Sequence, residues 1–287
     1  MAVADCQDGR MRILVTNDDG IDSEGLHVLV RAMCRLDGDH DVVVGAPDRE
    51  FSGAGAALGA LHLLEPEVVR ASIPDCDAEA WTVNGPPGLC VMFARLGAFG
   101  APFDLIVSGI NPGANVGRAV YHSGTVGACL TGRNGHVSGV AVSQSVHGMG
   151  VEGQAWDDVI KDLRWETAAK VAKSVVQSLV DDMPTETVVV NLNVPDLPLD
   201  ELKGWKHAQV GVRPPRTVAS ADLTPIEGRE EAYKVTMQWG EKADLDPETD
   251  GGMVEEGYVS VSYLTRLEHE DRPDMAHADT GLDALLS

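Results

Sequence analysis

Short β-branched apolar runs alternate along this chain with segments whose apolar residues recur at helical spacing. That alternation is the pattern of a parallel sheet covered on both faces. Residues 12–17 form the first run, and a helix follows from Gly25 with Leu26, Leu29, Val30, Met33 and Leu36 on one face. Residues 41–46 give the next strand, 81–83 a further one, and 89–96 a helix. Residues 104–108 and 139–143 read as buried strands, with a helix starting near Thr125 between them. A long helix fits 165–183, where Trp165, Ala168, Ala169, Ala172, Val176, Leu179 and Met183 share a face and Pro184 ends it. Residues 187–194 resume the strand pattern. The expectation is an α/β fold with a doubly wound, mostly parallel sheet.

Beyond Pro195 the pattern changes. Pro198, Pro214, Pro215 and Pro225 are followed by an acidic, glycine-rich stretch over 241–252, between strand-like runs at 233–239 and 258–264. These features predict a hairpin arm with a long polar tip, the acidic stretch being a solvated loop rather than a metal site. The chain divides into a flexible N-terminal extension (1–10), an α/β core (11–200), and a C-terminal hairpin arm and tail packing on the core (201–287).

The 287 residues are 44% apolar, enough for a sizeable core in one large domain or two small ones. Charge narrows the partners: 22 Lys and Arg against 45 Asp and Glu leave a net −23, whose field repels nucleic acid and anionic membrane surfaces. A phosphate-bearing ligand must then be captured by local chemistry. The cysteines at 6, 34, 76, 90 and 129 are scattered, odd in number and without Cys-x-x-Cys spacing, which argues against a disulfide framework or a zinc site. A cytoplasmic location follows from that reading. No run approaches the ~18 apolar residues of a membrane span, and residues 1–10 lack the apolar stretch of a signal peptide.

The candidate chemistry gathers at strand ends, where doubly wound sheets bind ligands. Ile13-Leu14-Val15-Thr16 runs into Asn17-Asp18-Asp19-Gly20, delivering adjacent carboxylates to a sheet edge with no local base to neutralise them. Such a pair wants a cation. The next strand leads into Asp48-Arg49-Glu50-Phe51-Ser52-Gly53, and a later one into Asn111, Gly113 and Asn115. Singly, Ser52 reads as a helix cap, and Asn111 and Asn115 as left-handed turn residues. Jointly, two carboxylates plus neutral Ser and Asn oxygens make a hard donor set that suits Mg²⁺, Mn²⁺ or Ca²⁺ and is poor for zinc or copper. Tyr121-His122-Ser123-Gly124-Thr125-Val126-Gly127 has the small residues and hydroxyls of a phosphate cradle at a helix start. It is not a Walker loop, because no Lys follows the glycines, and no Gly-x-Gly-x-x-Gly follows the first strand. His122 reads as structural.

These blocks, with Ser108-Gly109-Ile110-Asn111, Gly117 and residues 191–195, resemble in identity and order the SurE survival-protein family, over about 11–267. The resemblance implies a Rossmann-like fold whose C-terminal hairpin and swapped tail build homodimers and homotetramers. It also implies a divalent-metal-dependent phosphatase of nucleoside 5′- and 3′-monophosphates. Carried over residue by residue, the metal ligands are Asp18, Asp19, Ser52 and Asn111, with Asp18 and Asp19 catalytic. Asn17, Asn115, Ser123, Gly124 and Thr125 then lie by the phosphate, and Asp18 is the residue expected to orient or deprotonate the attacking water.

Two departures stand out. The family's Gly-Thr-Pro-x-Asp-Cys is here Gly85-Pro86-Pro87-Gly88-Leu89-Cys90, which removes a hydroxyl and a carboxylate expected near the mouth of the site. The stretch 146–164 is longer than is typical, as a lid or an extra interface would require. Two other functions share the motifs: a phosphatase of another small ester such as a sugar phosphate, and a silent nucleotide-binding or assembly protein.

Overall fold

The computed structural model describes residues 10–59, 61, 65–146, 160–213, 215–265, 267, 274 and 276–286. The extension over 1–9 and most of the longer stretch, 147–159, lie outside the described residues. In chain order the elements begin with β1 (Arg12–Thr16), α1 (Glu24–Met33), β2 (Asp41–Pro47), β3 (Val68–Ile73), β4 (Cys76–Val83) and α2 (Pro87–Arg95). Next come β5 (Leu105–Pro112), α3 (Gly124–Arg133), β6 (Ser138–Gln144), α4 (Trp165–Asp181) and β7 (Val189–Val194). The C-terminal part holds β8 (Trp205–His207), β9 (Val218–Pro225), β10 (Tyr233–Trp239), α5 (Asp250–Glu255), β11 (Val259–Leu264) and α6 (Ala276–Leu286). Among the described residues no helix is long and apolar enough to cross a membrane.

Nine strands form one sheet in the order β3-β4-β2-β1-β5-β6-β7-β11-β8. The six strands from β4 to β7 in this order pair in parallel. The antiparallel pairs are β3 with β4 and β11 with β7. The order runs outward from β1 in both directions, so the sheet reverses its winding between β1 and β5. Period-two alternation splits the buried strands between two cores. Ile13 and Val15 of β1 pack with Leu26, Leu29 and Met33 of α1 and with Trp165, Ala168 and Ala172 of α4. Leu14, between them, packs on the other face with Leu89 and Cys90 of α2 and Val126 and Cys129 of α3. Fully burying each large aliphatic chain here contributes roughly 1.5–3 kcal/mol, which is why α1 and α4 follow the periodicity read from sequence.

The C-terminal arm is built differently from the sequence expectation. Residues 233–239 pair with β9, not with 258–264, in a separate two-stranded antiparallel hairpin. The 258–264 run instead enters the main sheet as β11, antiparallel to β7 and parallel to β8. β9 escaped notice because its sequence, VASADLTP, is small and polar with every residue exposed. Residues 226–232, not 241–252, form the connection between the hairpin strands. Edge strand β3 was missed for the same reason, since all but two of its residues are exposed.

Close approach fixes where α1 lies. A Cβ on Gly25 would sit 2.3 Å from the carbonyl oxygen of Ile110 in β5. Alanine is the better helix former by about 1 kcal/mol, but forcing an extra methyl against backbone costs about 1–3 kcal/mol, so the clash wins. Gly25→Ala is expected to lower the free energy of urea unfolding by about 1–2 kcal/mol. An unchanged or raised urea midpoint would show that α1 can shift away from β5.

Candidate active site

The site lies at the carboxyl end of β1, beside β5, where the sheet reverses its winding. Asn17 is fully buried and its side-chain nitrogen donates to the Gly20 carbonyl at 2.9 Å and to the Ser23 hydroxyl at 2.7 Å. These bonds close the turn that carries the two aspartates. Asp18 is 2% exposed. Its Oδ2 accepts from the Gly124 N–H at 3.0 Å and its Oδ1 from the Thr125 hydroxyl. Glycine at 124 is what allows this approach, because a Cβ there would lie 2.7 Å from the Asp18 carboxylate. The Asp18 carbonyl also accepts from the Phe51 N–H at 2.7 Å, which laces the loop after β2 to the same turn.

Asp19 is less well provided for. Its Oδ2 is buried without a hydrogen-bond donor among the described residues, as is Oδ1 of Asn17. Burial raises the pKa of Asp18, with Glu50 adding to the rise and the Thr125 hydroxyl opposing it. Asp19 is pushed well above the usual carboxylate range, first by burial and then by the negative charge of Asp18 and of Glu50. A bare protein therefore resists holding both groups ionised, and a cation relieves all three causes at once. Among the described residues no cluster of three or more His, Cys, Asp or Glu has the arrangement of a metal site. An ion held here rests on two carboxylates plus neutral oxygens, the hard set suited to Mg²⁺ or Mn²⁺.

Ser52 is exposed, and its N–H donates to the Glu50 carboxylate at 2.9 Å. Asn111, near the end of β5, turns its side-chain nitrogen to the Gly113 carbonyl at 2.6 Å. Asn115 is buried, donating to the Ser143 hydroxyl at 2.8 Å. Its carbonyl accepts from Asn191 at 3.0 Å and Asn193 at 3.3 Å. Strands β6 and β7 thus hold the loop after β5. Ser123 caps α3, its hydroxyl accepting from the Val126 N–H at 3.1 Å. The donors of the 123–126 turn are accordingly engaged in fixing Asp18 and the helix start. His122 is exposed, and its carbonyl accepts from the Gly55 N–H at 3.0 Å.

Direct hydrogen bonds thus join Asp18 to Gly124 and Thr125, and Ser52 reaches them through its neighbour Phe51. Two contributors went unread in the sequence. Glu50 bears on both aspartates from the loop after β2. Asp250, read as part of a solvated acidic loop, is 1% exposed and accepts from the N–H groups of Gly117 at 3.0 Å, Gly211 at 2.9 Å and Gly251 at 2.9 Å. Burial raises its pKa and those three bonds oppose the rise. It ties α5 to the segment that runs on into Ser123. A Thr-Asp pair opening a short apolar run is the signal that could have found it, as a helix start.

The altered turn also has a definite place. Pro86 is the N-cap of α2 and Pro87 its first residue, which makes Leu89 the third. A Thr and an Asp at those two positions have the spacing of a capping box, reciprocal bonds that close a helix start. Here no side-chain cap bond exists, and Leu89 is fully buried in the core. The departure accordingly alters how α2 begins.

Fold and site together define a doubly wound α/β protein with two adjacent carboxylates at the end of its central strand, set against a helix N-terminus. The family model described as survival protein SurE matches residues 13–217. The chain is 33% identical over 255 residues to a Haemophilus influenzae protein named 5′-nucleotidase SurE, covering 88% of this chain and 90% of that one. It is 36% identical over 259 residues to the 5′/3′-nucleotidase SurE of Erwinia tasmaniensis, with the same coverage. The crystal structure of the SurE protein from Aquifex aeolicus superposes with a TM-score of 0.69 at 28% identity, covering 95% of this chain and 99% of that one. This chain belongs to the SurE family.

Among the described residues the Thr125 hydroxyl is the one side-chain donor on Asp18, so its loss is informative. Thr125→Val keeps the shape and removes the bond, and is expected to weaken Mn²⁺ binding about 10-fold or more in calorimetry. Unaltered affinity would remove Thr125 from the site.

Proposed function

We propose that this chain is a divalent-metal-dependent phosphomonoesterase that hydrolyses nucleoside 5′- and 3′-monophosphates to nucleoside and phosphate. The observation that carries this reading is the Asp18–Asp19 pair: Asp18 is buried against the start of α3, and half-buried Asp19 has an Oδ2 with no donor among the described residues. The names of the relatives supply the substrate class. Asp18, Asp19, Ser52 and Asn111 hold the ion, Mg²⁺ or Mn²⁺. When bound, such an ion neutralises charge on the phosphate oxygens and makes a nearby water more acidic.

The chain's own residues do the rest. Gly124 and Thr125 fix the Asp18 carboxylate, so its position does not have to be found during the reaction. Asp18, held by those two donors, orients or deprotonates the attacking water, while the donor-free Oδ2 of Asp19 is left for the ion. Asn17, Asn115, Ser123, Gly124 and Thr125 frame the phosphate site, their bonds to Asp18 and to the neighbouring turns fixing its walls, with the positive end of the α3 dipole toward it. Preorganised charge of this kind stabilises the transition state without reorganisation.

The reading of a silent binding protein rested on the missing Thr and Asp after Gly85. Because Pro86 and Leu89 are the N-cap and third residue of α2, that support is weak. The β9–β10 arm favours a homodimer or homotetramer. Tyr233, Val235, Met237 and Trp239 face the same way as Leu223, Ala221 and Val218 across the register, and the large ones are 43–64% exposed. An isolated hairpin is marginal in water, and a second copy would cover its apolar face. We place the enzyme in the cytoplasm, with small phosphate esters rather than nucleic acid or membrane as its partners.

Phosphate release from 5′-AMP, 3′-AMP, 5′-GMP and a set of sugar phosphates, with EDTA and then with Mg²⁺ or Mn²⁺ restored, tests the proposal. Release from nucleotides should stop with EDTA and return with metal. Preference for sugar phosphates would reassign the substrate, and no release with metal bound would leave a binding protein. Asp18→Asn and Asp19→Asn should each cost at least about 100-fold in kcat. Near-normal turnover in either variant, with metal bound, would remove that residue from catalysis.

A further inference from the structure

One pair of side chains far from the site is arranged for chemistry that the phosphatase reading does not use. Cys34 is the C-cap of α1, and Cys76 is the first residue of β4, directly after the tight turn that joins it to β3. Their Sγ atoms lie 3.2 Å apart although the residues are 42 apart in sequence. Cys34 is exposed and Cys76 half-exposed, while Cys90 and Cys129 are buried in the core. The surroundings hold the pair in place: Arg31, in the last turn of α1, reaches the Pro74 carbonyl at 3.5 Å on the same β3–β4 turn. A disulfide needs the sulfurs at about 2.05 Å, so about 1.2 Å of closure is required, within reach of small side-chain rotations.

We propose that Cys34 and Cys76 form a dithiol site that peroxide or a small-molecule disulfide oxidises to an intrachain disulfide. The two S–H bonds break and one S–S bond forms as the thiols lose two electrons and two protons. With hydrogen peroxide the O–O bond breaks and two waters leave; with a small disulfide its S–S bond breaks and two free thiols are released. Partial burial of the sulfur and the hydrogen bond to Cys76 push the Cys34 thiol up to about 12, which lowers its thiolate fraction at neutral pH. The site is a clip between the end of α1 and the β3–β4 turn. The loop it closes contains β2 and Ser52. Tying its ends together restricts the unfolded chain over the segment that brings Ser52 to the site.

The test uses the full chain, reduced and then incubated with oxidised glutathione or with hydrogen peroxide. Intact mass should fall by about 2 Da, the two thiol hydrogens, and a non-reducing peptide map should join the peptides of Cys34 and Cys76. The oxidised protein should melt about 5 °C or more above the reduced one, and dithiothreitol should reverse the shift. Cys34→Ser and Cys76→Ser, both at sites with access to water, should each abolish the mass change and the shift. Persistence of both free thiols under either oxidant, linkage through Cys6 or another cysteine, or the same melting shift in the serine variants would overturn the proposal.

Discussion

Two consecutive carboxylates at the end of a central strand, Asp18 buried and Asp19 half-buried, are the constraint around which the rest of this structure is arranged. A charged oxygen taken out of water costs several kcal/mol unless donors or a counter-charge meet it. At Asp18 the donors are found: a helix start and a hydroxyl are brought to both oxygens from more than a hundred residues away. At Asp19 they are not, and one oxygen stays bare. The asymmetry is instructive. A fold selected for stability alone would replace the pair with apolar residues, as the neighbouring positions Leu14 and Val15 do at no exposure. Keeping it there is the cost that the proposed cation site would offset.

Everything that touches this pair is held by something else. The loop after β2 is pinned to Asp18 by Phe51, and the loop after β5 hangs from asparagines on β7 through the Asn115 carbonyl. Asp250 joins the C-terminal segment to the same region through Gly117. Preorganisation of a polar site is distributed in this way because no single element can satisfy so many buried polar atoms.

Much of this was legible in the sequence, for identifiable reasons. The central strands and α1 and α4 carry strong apolar periodicity, because each has a face that water never sees. The aspartate pair and the asparagines after β5 were conspicuous because polar residues at the ends of buried runs need a purpose. β3 and β9 could not be read, since exposed strands leave no apolar pattern. The partner of residues 258–264 was misjudged because neighbouring strands usually pair, whereas β11 crosses to β7. Contacts such as Thr125 with Asp18, or Cys34 with Cys76, depend on the sheet order, which local pattern does not encode. Asp250 was lost in a run of acids whose other members are exposed or half-exposed.

The insertion of β11 between β7 and β8 bears on how the chain is made. β8 is complete by residue 207 but pairs only with β11, which ends at Leu264. As the polypeptide leaves the ribosome, the edge of β7 therefore stays open, with its backbone groups unsatisfied, while more than fifty further residues are synthesised. At about 5–20 residues per second this lasts several seconds, in which an exposed strand can pair with the wrong chain. The late β-strand acts as a closing zip, so truncation or stalling before residue 264 releases a molecule whose finished half is the adhesive one.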